Sequence, residues 1–109
     1  MLNGSSGSFA TPGYALSYYN NLNCTWTLRI PTDGYLRLKF IVFYTEKCCD
    51  FVELIDSAGQ RIEKLSGFKH LFTVSVGGDR TDILTITFNS DSSVRKKGFL
   101  AQYHITSRE

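Results

Sequence analysis

Apolar and polar residues alternate along most of the chain, and the period is two. Cys24, Trp26, Leu28 and Ile30 interleave with Thr25, Thr27 and Arg29, which predicts a strand with one buried face. A long β-rich run over 35–44 puts Leu36, Leu38, Phe40 and Val42 on one side. Between these runs, Pro31-Thr32-Asp33-Gly34 predicts a turn, because proline sets φ and Asp-Gly tolerates positive φ. A shorter strand over 51–56 leads through Ser57-Ala58-Gly59-Gln60 into another over 61–65. Strands over 71–76 and 83–89 flank a polar turn at 77–82, with Leu84, Ile86 and Phe88 sharing a face. A last strand over 99–106 turns Phe99, Ala101, Tyr103 and Ile105 inward. No window of about ten residues carries an amphipathic helical pattern. Many short strands with frequent turns predict an all-β domain, a β-sandwich or small barrel. The immunoglobulin pattern does not fit, because its tryptophan lies well downstream of its first cysteine and here Cys24 and Trp26 are two apart.

Composition narrows the class. The 109 residues make a single domain over 1–109, and 42% hydrophobic content supports an ordinary core. A net charge of +2 argues against a dedicated nucleic-acid binder. There is no run of about 18 apolar residues, so no membrane span is expected. The opening Met1-Leu2-Asn3-Gly4-Ser5 lacks the basic start and apolar stretch of a signal peptide. Asn3-Gly4-Ser5 and Asn23-Cys24-Thr25 fit the N-glycosylation acceptor pattern, which points outside the cell.

The chemistry lies in the loops. Glu46 and Asp50 flank a short loop between two β-patterned runs, and Asn89-Ser90-Asp91-Ser92-Ser93 forms a second acidic loop after another strand. Carboxylates at strand ends suit a calcium ion, which takes about six to eight oxygen ligands, or a partner's lysine. The bland reading is that they are ordinary polar residues in solvated loops. Arg95-Lys96-Lys97 is a basic tip able to bind heparan sulfate or another anion, although a solvated turn is the commoner explanation for such a run. With Cys24, Cys48 and Cys49, at least one cysteine cannot pair within the chain. Nothing in the spacing gives Cys48 or Cys49 a base and an orienting acid from His70 or His104. A zinc site from these four is equally unsupported, because adjacent cysteines lack the usual gap. His104 falls opposite the inward face of its strand and is expected at the surface. Trp26, Phe40, Phe88 and Phe99 fall on the inward phase and are expected in the core.

Taken in order, several motifs resemble the CUB domain family over about residues 7–105. Gly7-Ser8-Phe9-Ala10-Thr11-Pro12-Gly13-Tyr14 is similar to the family's opening, and Tyr18 keeps the family's spacing to the tryptophan of Cys24-Thr25-Trp26. Phe40, Phe43 and Glu46 resemble its Phe-x-x-Phe-x-x-Glu, and Asp50-Phe51-Val52-Glu53-Leu54 its Asp-Tyr-Val-Glu-Ile. Phe88-Asn89-Ser90-Asp91-Ser92-Ser93 and Gly98-Phe99-Leu100-Ala101-Gln102-Tyr103 resemble its closing motifs. The cysteines depart from the pattern. Cys24 looks like the second family cysteine, whose partner would precede residue 1. Lys47 stands where the third is usual, and Ser66-Gly67 where the fourth is usual, so the second disulfide is expected to be absent.

The resemblance implies an antiparallel, jelly-roll-like β-sandwich of two sheets, extracellular, binding another protein and catalysing nothing itself. A parent protein could carry a separate catalytic domain. It implies a weak calcium site from Glu46, Asp50 and Asp91 with Ser93 as a further ligand, and Tyr18 supporting Glu46. The free oxygens of Glu46, Asp50 and Asp91 would meet a basic side chain of the partner. Two rivals stay open. One is a glycan- or heparin-binding module using Arg95, Lys96 and Lys97; the other is a spacer or dimerisation unit linked through Cys48 or Cys49.

Overall fold

The computed structural model describes residues 5–11, 23–45, 50–90 and 98–107. They form nine strands: β1 (Ser6–Ala10), β2 (Asn23–Arg29), β3 (Gly34–Tyr44), β4 (Phe51–Ile55), β5 (Arg61–Leu65), β6 (Phe68–Lys69), β7 (Phe72–Gly77), β8 (Ile83–Asn89) and β9 (Gly98–Ser107). No helix occurs among the described residues. The strands make two antiparallel sheets. The first runs β1-β9-β3-β6, with β7 also paired to β3, and the second runs β2-β8-β4-β5. The sandwich of two sheets is the architecture that the period-two pattern and the resemblance imply.

Alternation builds the core. Leu28, Leu84, Ile86, Phe88, Val52 and Leu54 of the second sheet are fully buried against Leu36, Leu38, Phe40, Phe99 and Ala101 of the first. Phe99 is the centre of the packing. Its ring lies 5.5 Å from Trp26, 6.0 Å from Phe88, 5.6 Å from Phe40 and 5.8 Å from Phe9. Edge-to-face contacts of this kind add to the roughly 1.5–3 kcal/mol of burying such a side chain. Trp26 is only partly buried, packed on the rim of this cluster.

Three expectations change. Val42 is not a core residue: the β3–β9 register shifts between Phe40 and Val42, and Phe43 takes the inward position. A bulge inserts one residue and so reverses the face of everything after it. Strands β1 and β6 are additional to the predicted set; β1 shows a single buried apolar side chain, Phe9, and β6 has two residues, so neither carries a readable alternation. At the turn, the Gly34 amide donates to the Pro31 carbonyl at 3.0 Å, but Gly34 does not take positive φ. Glycine is required there because a Cβ would stand 2.4 Å from the Thr106 carbonyl oxygen across the sheet.

Candidate functional site

The described residues that flank 12–22, 46–49 and 91–97 all lie at one end of the sandwich. Pairing brings Asn23, Asn89 and Phe51 side by side in the second sheet. Tyr44 pairs with Gly98, and Ala10 with Leu100, in the first. The two sheets meet here through Thr45, whose hydroxyl donates to the Asp50 carbonyl at 3.1 Å. Thr11 closes the other side: its amide donates to the Phe99 carbonyl at 3.1 Å, and its hydroxyl accepts from the Phe99 amide at 3.3 Å.

Asp50 is the one expected metal ligand among the described residues, and it is 0% exposed. A solvated loop residue would not be. Glu46, Asp91 and Ser93, with the supporting Tyr18, lie outside the described residues, as do the basic tip Arg95, Lys96 and Lys97, the cysteines Cys48 and Cys49, and Asn3. Among the described residues no group of three or more His, Cys, Asp or Glu is able to hold a metal. The donor set implied by the resemblance, carboxylates with a backbone or hydroxyl oxygen, is chemically suited to calcium. A carboxylate taken wholly out of water requires hydrogen-bond donors or a cation around it.

Thr45 and Gly67 fasten this end. The Thr45 amide donates to the Gly67 carbonyl at 2.9 Å, and the Gly67 amide donates to the Thr45 hydroxyl at 3.0 Å. Gly67 belongs to the Ser66-Gly67 pair standing where the resemblance would put a cysteine. These buried hydrogen bonds tie the neighbourhood of the 46–49 segment to the β5–β6 connection. Cys24 is a free thiol, half-buried, and burial pushes its pKa up. It forms no disulfide among the described residues. His70 and His104 are both exposed. His70 packs against Phe68 at 5.3 Å between ring centroids, and His104 stands on the outer face of the first sheet opposite Arg37. Neither belongs to a catalytic or zinc cluster among the described residues.

One feature of this end is not legible from periodicity. Phe68 is 64% exposed, Leu71 57% and Tyr44 38%. The Phe68 ring lies 5.4 Å from that of Tyr44, its partner on β3. Exposed apolar side chains gathered together mark interaction surfaces. The available signal was the pair of large apolar residues, Phe68 and Leu71, on either side of Lys69-His70.

A family model for the CUB domain matches residues 1–103. The chain belongs to the CUB domain family. This CUB domain is 36% identical over 116 residues to ovochymase of Halocynthia roretzi, a match covering 98% of the chain and 7% of that protein. It is also similar to the full extracellular region of zebrafish Gpr126, with a TM-score of 0.83 and 27% identity, covering 96% of the chain and 14% of that structure. The MASP-1 CUB2 domain bound to Ca2+ shares the fold, with a TM-score of 0.80 and 19% identity over 94% of the chain and 95% of that domain. The chain therefore spans a small part of the larger relatives it matches. CUB domains are non-catalytic modules of extracellular proteins, in accord with the reading of this chain as a binding module. Among the described residues, no helix is long and apolar enough to cross a membrane.

Proposed function

We propose that this CUB domain is an extracellular protein-binding module whose strand end at Thr45 and Asp50 is ordered by calcium. The observation that carries the reading is the complete burial of Asp50 at the end flanking 12–22, 46–49 and 91–97. Asp50 would hold the ion together with Glu46, Asp91 and Ser93, and Tyr18 would support Glu46. Calcium would supply a fixed positive charge that lets these carboxylates stand together. A basic side chain of the partner would then meet their outward oxygens through a charge-assisted hydrogen bond. Phe68, Leu71 and Tyr44 give the same region apolar area against which a partner can close. Affinity for calcium is expected to be on the order of 10⁻⁴–10⁻³ M, as in other extracellular modules. Asn23 is exposed at the start of β2 and would be available for glycosylation. Any catalysis by the parent protein would belong to another domain.

Calorimetric titration of chelator-treated protein with calcium, paired with melting curves, tests the reading. Saturable binding at one site with a raised Tm supports it. Calcium stabilisation that persists in both Asp50→Ala and Asp91→Ala moves the metal elsewhere, and no binding at millimolar calcium removes it.

A further inference from the structure

The outer face of the first sheet carries a hollow of about 860 Å³ that none of the features above uses. Its floor is a grid of side chains set by strand register. One row runs Ser6, His104, Arg37, Ser75 across β1, β9, β3 and β7. The row beside it runs Ser8, Gln102, Lys39, Thr73 across the same strands. All eight are exposed and polar, and none is acidic. Arg37 and Lys39 occupy the middle of their rows, two residues apart on one strand and so roughly 7 Å from each other.

Opposite charges set across from each other on neighbouring strands stabilise a sheet. Here Arg37 faces His104 and Ser75, and Lys39 faces Gln102 and Thr73. The described strands of the first sheet contain no Asp or Glu, whereas β4 and β5 of the second carry Glu53 and Glu63. Among the described residues, neither Arg37 nor Lys39 makes an ion pair. The guanidinium of Arg37 rests 5.5 Å from the centroid of the Tyr35 ring, which holds it on the face without neutralising it.

We propose that this hollow binds a sulfated polysaccharide lying across the first sheet, with Arg37 and Lys39 taking sulfate groups. The flanking hydroxyls, the Gln102 amide and the His104 ring supply hydrogen bonds to sugar hydroxyls and ring oxygens. A peptide strand is a poorer occupant, because it would extend an outer edge of the sheet at β1 or β7, whereas Arg37 and Lys39 stand mid-floor on β3, which like β9 is paired on both sides. A membrane is a poorer occupant as well. The two rows present no Leu, Ile, Phe or Trp to enter a bilayer, and Tyr103, which also borders the hollow, is buried. The site lies apart from the calcium-dependent reading and stands or falls independently of it.

The test is titration of the full chain with a heparin-derived sulfated hexasaccharide in the presence of chelator. Binding is expected, and R37A/K39A should weaken it about tenfold or more, the loss of two charge-assisted contacts. R29A/R61A removes the same charge from the second sheet and should leave affinity within about twofold. Both double variants change exposed side chains only, and equal melting temperatures verify that each folds. Absence of binding by the unaltered chain overturns the proposal. So does equal weakening by R29A/R61A, which would mean bulk charge alone. Loss in R95A/K96A/K97A with retention in R37A/K39A puts the anion at the basic tip and overturns it too. Equal affinity for the desulfated hexasaccharide overturns the assignment of sulfate. Binding to phosphatidylserine vesicles that needs Arg37 and Lys39, without binding of the hexasaccharide, makes the face a membrane site instead.

Discussion

Thr45 and Asp50 are joined across the 46–49 segment by a buried hydrogen bond of 3.1 Å, from the Thr45 hydroxyl to the Asp50 carbonyl. The same hydroxyl accepts from the Gly67 amide at 3.0 Å. One oxygen thus serves three parts of the chain at the end that holds the candidate site. Thr45→Val keeps the shape and removes that oxygen, leaving a buried amide and carbonyl without it. The expected loss is about 1–3 kcal/mol of stability, read as a lower urea midpoint with an unchanged slope. Thr45→Ser should retain most of the stability, because it keeps the hydroxyl.

Calcium should act through Asp50. Asp50→Asn preserves size and removes the charge at a position that is 0% exposed. If the ion is held as proposed, the calcium-dependent rise in Tm disappears in this variant, while the melting temperature in chelator changes much less. An unchanged calcium-dependent rise would disconnect Asp50 from the metal. Asp91→Asn supplies the independent comparison should Asp50→Asn fail to fold.

Two glycines should respond very differently to alanine. At Gly78 a Cβ would stand 1.7 Å from the Pro31 carbonyl oxygen, a backbone atom that cannot move aside. Gly78→Ala is expected to cost upward of about 3 kcal/mol. At Gly59 a Cβ meets nothing within 4 Å, and the only penalty comes from φ of +84°. Gly59→Ala should therefore cost about 1–2 kcal/mol. Chemical denaturation of the two variants, side by side, separates collision from backbone preference.

Cys24 gives a pH-dependent signal. Burial raises its pKa above the ordinary cysteine value, because a thiolate is poorly solvated there. The folded chain then holds the Cys24 proton where the unfolded chain has lost it. This contribution to stability is fully present below the unfolded pKa and is lost as pH rises through the folded one. Alkylation of Cys24, followed by mass spectrometry of its peptide, should therefore reach half its maximal rate at higher pH in native than in urea-unfolded protein. Coincident profiles would show that burial does not protect the thiol.

Most of the fold is legible in the chain because a sandwich strand is a local code. Side chains alternate between core and solvent, so Leu84, Ile86 and Phe88 announce β8 without reference to any other strand. The turns are local too, as at Pro31–Gly34. The order of motifs from Gly7 to Tyr103 carries the CUB resemblance, and with it the expectation that Glu46, Asp50 and Asp91 act together. Tertiary structure decided what depends on a second strand. The shift after Phe40 that exchanges Val42 for Phe43 arises in the pairing with β9. The two-residue β6 exists through its pairing with β3, and the exposure of Phe68 depends on what packs around it. The acid-free grid around Arg37 and Lys39 is assembled from four strands far apart in sequence. A period of two tells each residue which face it takes, but only hydrogen-bonded register determines which residues stand beside it there.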